Sequence, residues 1–83
     1  MSALDLEARV YSIVAELFNV RIDNLMPESS PKTIESWDST GHLDLVLALE
    51  QEFGVQFSPD QMDQMMNLNT IVEILAAMKP VGR

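Results

Sequence analysis

The sequence predicts an all-α fold: a four-helix bundle with three longer helices, one short third helix and a long first loop. Apolar residues recur at helical spacing in three segments, and two serine or threonine residues are each followed, three positions on, by glutamine or glutamate. The chain has 83 residues, of which 47% are hydrophobic, so it can bury one small core. We therefore expect a single domain over residues 1–83.

The first helix is expected over residues 3–18. Ser2, three residues ahead of Asp5, resembles an N-cap arrangement. The apolar stripe of this helix consists of Leu6, Val10, Ile13 and Leu17, with Val14 and Phe18 beside it.

Residues 19–38 contain prolines and serines without sustained periodicity, which predicts one long connection. A loop of this length is uncommon in so small a domain, so we expect it to be ordered. The side chains that would pin it to the core are Val20, Ile22, Leu25, Ile34 and Trp37.

The second helix is expected over residues 39–53 and is apolar around much of its circumference. Such a helix is expected to be central and packed on more than one side. Gly54 is a typical helix stop. The apolar residues are Leu43, Leu45, Val46, Leu47, Ala48, Leu49 and Phe53.

Two capping boxes predict the remaining helices. Ser58, Pro59 and Gln61 indicate a short helix over residues 59–65. Thr70 and Glu73 indicate a fourth helix over residues 70–79.

Thirteen acidic and five basic residues give a net charge near −8, which argues against nucleic-acid and anionic-membrane partners. No Lys or Arg occurs from Thr33 to Met78. This excess of acid is either a solubilising surface or a docking face for basic partners. Without a membrane-spanning run or a secretion signal, we expect a soluble cytoplasmic protein. The absence of cysteine excludes disulfides and thiolate zinc sites.

The pair Asp38-Ser39 at the start of the second helix is the main chemical feature. A serine hydrolase needs a base at the hydroxyl, but the single histidine, His42, lies three residues on in the same helix, and Gly-x-Ser-x-Gly is absent. The ligand patterns of zinc and calcium sites are also missing. We therefore expect neither an enzyme nor a metal site.

What remains for Ser39 is covalent attachment. A helix N-terminus favours a phosphate on a hydroxyl of its first turn, and Asp38 could face a metal ion or a basic group of a modifying enzyme. The alternative is that Asp38 and Ser39 are only an N-cap and a first turn.

The run from Trp37 to Val55, WDSTGHLDLVLALEQEFGV, resembles the modification-site helix of acyl carrier proteins. The four helices, the long first loop and the acidic second helix agree with that family over nearly the whole chain. The matching positions are Asp38, Ser39, Leu43, Asp44, Leu45, Val46, Ala48, Leu49, Glu50, Glu52 and Phe53.

The resemblance implies that Ser39, beside Asp38, receives a 4′-phosphopantetheine arm from coenzyme A through a magnesium-dependent phosphopantetheinyl transferase. The arm would carry acyl groups as thioesters in fatty-acid, polyketide or related specialised biosynthesis. The partners would be the transferase and acyl-transferring, ligating or synthase enzymes with basic patches, and a monomer suits such a shuttle. The resemblance gives the partner-binding face as Asp44, Glu50, Thr40 and Leu47, with Asp38 beside them.

The chain also departs from the family pattern. The common Leu-Gly-x-Asp-Ser-Leu reads ESWDST over residues 35–40, and Gly41 occupies a position that is often acidic. These changes predict a specialised, free-standing carrier. The alternatives are a peptidyl or aminoacyl carrier, and an unmodified acidic module for protein interaction.

Two further expectations concern side chains near this helix. Met62, Met65 and Met66 should pack in the core; alternatively, with Leu47 and Phe57, they would open a sleeve for an acyl chain. His42 is expected to be exposed and incidental, with contact to the phosphate of the arm as the alternative.

Overall fold

The computed structural model describes residues 3–78. No strand occurs in this part of the chain, which confirms the all-α prediction with its short third helix and its long first loop. The elements are α1 (Ala3–Phe18), a 3₁₀ turn (Ile22–Asn24), α2 (Ser39–Phe53), α3 (Pro59–Gln64) and α4 (Leu68–Ala77).

Helix α1 is the central helix, because it packs against both α2 and α4. The sequence placed Ile13 and Leu17 on its core stripe, but Leu17 is 38% exposed and Ile13 only borders the core. The predicted core stripe of α1 was therefore wrong, and it differs from the observed buried face by a small rotation about the helix axis. The buried face consists of Leu6, Val10, Val14 and Phe18, spaced one turn apart.

Helix α2 has its main contact with α1, so the prediction that α2 is central was wrong. Its core residues are Leu45, Val46 and Leu49. Leu43 and Leu47 are more than half exposed. The apolar circumference of α2 therefore combines a core face with an apolar outer surface.

The first loop is ordered by core contacts and by hydrogen bonds to α4. Leu25, Ile34 and Trp37 are buried and Val20 packs against the core, as predicted, whereas Ile22 is exposed and anchors nothing. The loop carbonyls of Pro27 and Ser29 accept from the backbone N–H groups of Asn69 and Leu68, at 2.9 and 3.1 Å. The loop thereby satisfies two donors at the N-terminus of α4.

Helix ends follow the sequence signals with one exception. Gly54 is left-handed (φ 63°) behind α2, and Ser58 and Gln61 form the predicted capping box of α3. The predicted box at Thr70 was wrong: Asn67 is the N-cap of α4, and its Oδ1 accepts from the Thr70 N–H at 2.7 Å. The predicted end of α4 at residue 79 was wrong by two residues, because the helix ends at Ala77 and Met78 is its extended C-cap. The predicted cap at Ser2 lies outside the described residues.

Candidate functional site

Ser39 is the first residue of α2 and is exposed. Asp38 is the N-cap of α2, and its Oδ1 accepts from the Gly41 N–H at 2.8 Å. Within residues 3–78, the Ser39 hydroxyl takes part in no side-chain hydrogen bond. No general base is therefore hydrogen-bonded to it. The hydroxyl is thus accessible to an external reagent and is not activated by a neighbouring side chain of the protein.

Gly41, in the first turn of α2, is buried beneath the preceding loop. A Cβ at this position would lie 2.2 Å from the carbonyl oxygen of Ser36 and 3.0 Å from Cε1 of Phe18. Only glycine permits this approach of the loop backbone. An acidic side chain, common here in the family pattern, would not fit, which gives this departure a physical reason.

Trp37 lies in an aromatic stack behind the serine. Its side chain is buried, and its ring stacks on Phe18 and His42 with centroid distances of 5.8 and 6.2 Å. The Trp37 Nε1–H donates to Nδ1 of His42 at 2.9 Å. The loop that leads into α2 is thereby fixed from two sides.

His42 was predicted to be exposed and incidental, and this prediction was wrong. The side chain is half-buried, and its Nε2 lies 2.9 Å from the carbonyl oxygen of Met62 on α3. Because the Trp37 indole can only donate and a carbonyl can only accept, the ring is neutral with its proton on Nε2. Both nitrogens are occupied, so neither is free for a phosphate.

An open cavity of about 530 Å³ lies beside Ser39. We call it the serine cleft. Its walls come from the first loop, the start of α2 and the link between α3 and α4. The lining residues are Pro31, Trp37, Asp38, Ser39, His42, Leu43 and Met66.

The three methionines have different places. Met65 is fully buried and Met62 packs against the core, as predicted, but Met66 is half exposed and lines the serine cleft. Phe57 is buried, whereas Leu47 is 56% exposed on the outer surface of α2. The alternative of an internal sleeve that includes Leu47 and Met66 therefore has no support in this arrangement.

The structure brings three of the four expected partner-facing residues to one exposed side of α2. Thr40, Asp44 and Leu47 are exposed and are spaced three to four residues apart. Glu50 is half-buried instead, and its Oε2 accepts from the Phe57 N–H at 2.9 Å. Glu50 thus holds the connection between α2 and α3.

No Lys or Arg occurs from Thr33 to Met78, so the charged side chains of α2 and α3 near Ser39 are acidic. Asp38, Asp44, Asp60 and Asp63 form no ion pair within residues 3–78. In the same part of the chain, no three side chains of His, Cys, Asp or Glu converge on a point that could hold a metal ion. None of the described helices has the length and apolarity needed to cross a membrane.

Comparison with known proteins gives the class. No family model matches the chain. Acyl carrier proteins of Thermosynechococcus vestitus and Desulforapulum autotrophicum are 25% and 29% identical to it over 75 and 73 residues. These alignments cover 90% and 87% of this chain, and 93% and 95% of the relatives. The Helicobacter pylori acyl carrier protein is 27% identical over 66 residues, 80% of this chain and 85% of the relative.

These relatives define a class of small carrier proteins that are not enzymes. The chain is similar over most of its length to these members of the acyl carrier protein family. Members of this family carry a covalently attached 4′-phosphopantetheine.

Proposed function

We propose that this chain carries acyl groups as thioesters on a 4′-phosphopantetheine arm attached to Ser39. The observation that carries the proposal is the exposed hydroxyl of Ser39 at the first position of α2, directly behind its N-cap Asp38. The similarity to acyl carrier proteins supports attachment of the arm, and the geometry favours Ser39 as the acceptor. When bound, the arm supplies a thiol, in a chain that has no cysteine of its own.

Asp38 has two roles in this proposal. Its Oδ1 fixes the start of α2 through the Gly41 N–H, so that the helix begins at Ser39. The other oxygen, Oδ2, is left for an external group and can face the magnesium ion or a basic side chain of the transferase. The first N–H groups of α2 and the positive end of its dipole favour the phosphate that Ser39 would carry.

The docking face that we propose consists of Thr40, Leu43, Asp44 and Leu47. It combines exposed apolar side chains with an acidic one. Such a surface suits enzymes that have an apolar contact region with basic residues around it, and electrostatic attraction makes these contacts fast and exchangeable. We leave Glu50 out of this face, because it is half-buried and its Oε2 accepts from the Phe57 N–H.

The proposed setting is a specialised biosynthetic pathway in the cytoplasm, in which the chain is a monomeric carrier of fatty-acid, polyketide or related acyl cargo. The support for specialisation comes from the departures of ESWDST over residues 35–40 and of Gly41 from the common pattern, and Gly41 is the position on which the loop packs. An aminoacyl cargo and an unmodified interaction module are the competing outcomes.

The test is intact mass after incubation with coenzyme A, Mg²⁺ and a broad-specificity phosphopantetheinyl transferase. The wild type should gain one phosphopantetheine, and Ser39→Ala should gain none. Ser58→Ala is the matched control, because Ser58 is also an exposed serine at a helix start, and it should be modified like the wild type. A folded wild type that gains no adduct would favour the unmodified module.

A further inference from the structure

The wall of the serine cleft contains a hydrogen-bonded chain of three groups from three elements. The Trp37 Nε1–H, in the loop before α2, donates to Nδ1 of His42, and Nε2–H of His42 donates to the Met62 carbonyl on α3. Trp37 and His42 both line the cleft beside Ser39. The imidazole thus connects the loop, α2 and α3 next to the candidate attachment site.

Only one protonation state satisfies this chain. A proton added at Nδ1 would face the Trp37 N–H across the present separation of 2.9 Å, and two donors cannot bond to each other. The Nε2–H bond to Met62 is compatible with the cation, so the conflict is confined to the Trp37 side. The ring must then leave its position against the indole.

We propose that His42 is a positioning residue whose neutral form holds Trp37 in the wall of the serine cleft, and that protonation of His42 releases this wall. Acidification would change the shape of the cleft beside Ser39 while the rest of the core stays packed. The inference does not rest on the modification of Ser39, because the bonds belong to the unmodified chain.

The ionisable groups on the loop, on α2 and on α3 are mostly acidic. The acids are Asp23, Glu28, Glu35 and Asp38 in the loop, Asp44, Glu50 and Glu52 on α2, and Asp60 and Asp63 on α3; the bases are Arg21 and Lys32 in the loop. None of them forms a hydrogen bond or an ion pair with the imidazole within residues 3–78.

The chain is well suited to a direct test, because it contains one tryptophan and one histidine. Nuclear magnetic resonance of the unmodified wild type should show the proton of His42 on Nε2 at neutral pH. Titration from pH 8 to pH 5, where histidine is the side chain that ordinarily changes charge, should shift the indole N–H resonance together with the imidazole signals. At pH 5, indole exchange with solvent should be about five- to tenfold faster in the wild type than in His42→Gln at the same pH, the factor that corresponds to loss of one hydrogen bond.

Two variants separate this proposal from a general effect of pH. His42→Gln keeps an acceptor and a donor but does not titrate, so its indole resonance should stay constant over the same range. His42→Leu lacks both groups and should show fast indole exchange at every pH. Circular dichroism would establish that each variant is folded. The proposal would be overturned by a proton on Nδ1 of His42 in the wild type, or by an indole N–H resonance that does not shift while His42 is titrated. Neither result would bear on attachment at Ser39.

Discussion

The two ends of helix α2 are built for different purposes. At its C-terminal end, Arg9 of α1 bonds to Glu52 and lies 4.7 Å from the centroid of the Phe53 ring. Glu50 holds the Phe57 N–H, and Gly54 ends the helix in a left-handed conformation. This end is tied to its neighbours on several sides.

The N-terminal end presents more of its surface. Asp38 caps the helix, the loop packs on Gly41 and His42 joins the loop to α3, but Ser39 is exposed and an open cleft lies beside it. Leu43 is also exposed at this end. The contrast shows how a small domain can be stable and still offer an accessible hydroxyl: inward contacts at both ends keep α2 in place, and the outward side of the N-terminal end stays open.

The largest expected effect on stability comes from Gly41→Ala at the N-terminal end. The new methyl group would meet the Ser36 carbonyl, a backbone atom that cannot simply rotate away. Overpacking typically costs about 1–3 kcal/mol; a contact of 2.2 Å with a backbone atom should cost the upper value, about 3 kcal/mol, and the better helix propensity of alanine returns about 1 kcal/mol. We expect a net loss of about 2 kcal/mol in the free energy of unfolding, measured by urea denaturation. A variant as stable as the wild type would show that the loop is not held against α2.

Gly54→Ala, at the C-terminal end, should cost less. A Cβ there would have no atom within 4 Å, so the penalty comes only from the left-handed backbone (φ 63°) and should be about 1 kcal/mol. Gly54→Asn is the control, since asparagine tolerates this conformation and should restore most of the stability. The same denaturation series compares both ends. If Gly54→Ala cost more than Gly41→Ala, the comparison between the ends would be wrong.

The smallest effect is expected from neutralising one carboxylate in each half of α2. Asp44→Asn should slow modification by the transferase by roughly two- to fivefold, with little change in stability, because an exposed charge acts on association. Glu50→Gln is the matched change: it should lower stability, because the bond to the Phe57 N–H loses its charge assistance, and leave the rate unchanged. Initial rates at two salt concentrations would check this, and equal slowing by both variants would place Glu50 on the docking face.

Much of the fold could be predicted because local signals specify it. Gly54 and the Ser58 capping box mark helix ends through contacts of a few residues. The core face of α1 was harder, since Ile13 and Leu17 have the same helical spacing as the buried Val14 and Phe18. Periodicity identifies an apolar side of a helix, but the neighbouring helices decide its rotation.

The site could be predicted only as far as its motif extends. Asp38 and Ser39 are adjacent, and their places at the start of α2 follow from capping. The role of His42 depends on the Met62 carbonyl, 20 residues away, so no local pattern reveals it. The need for Gly41 likewise comes from the loop that packs on it; a glycine inside a helical pattern was the one available signal.

We propose Ser39, and no other hydroxyl at this end of α2, as the acceptor of the arm. Proteolysis of the modified protein followed by fragmentation mass spectrometry would locate the adduct. We expect phosphopantetheine on Ser39 alone, with the neighbouring hydroxyls of Ser36 and Thr40 unmodified. An adduct on either neighbour, or on Ser58 at the start of α3, would show that this assignment is wrong.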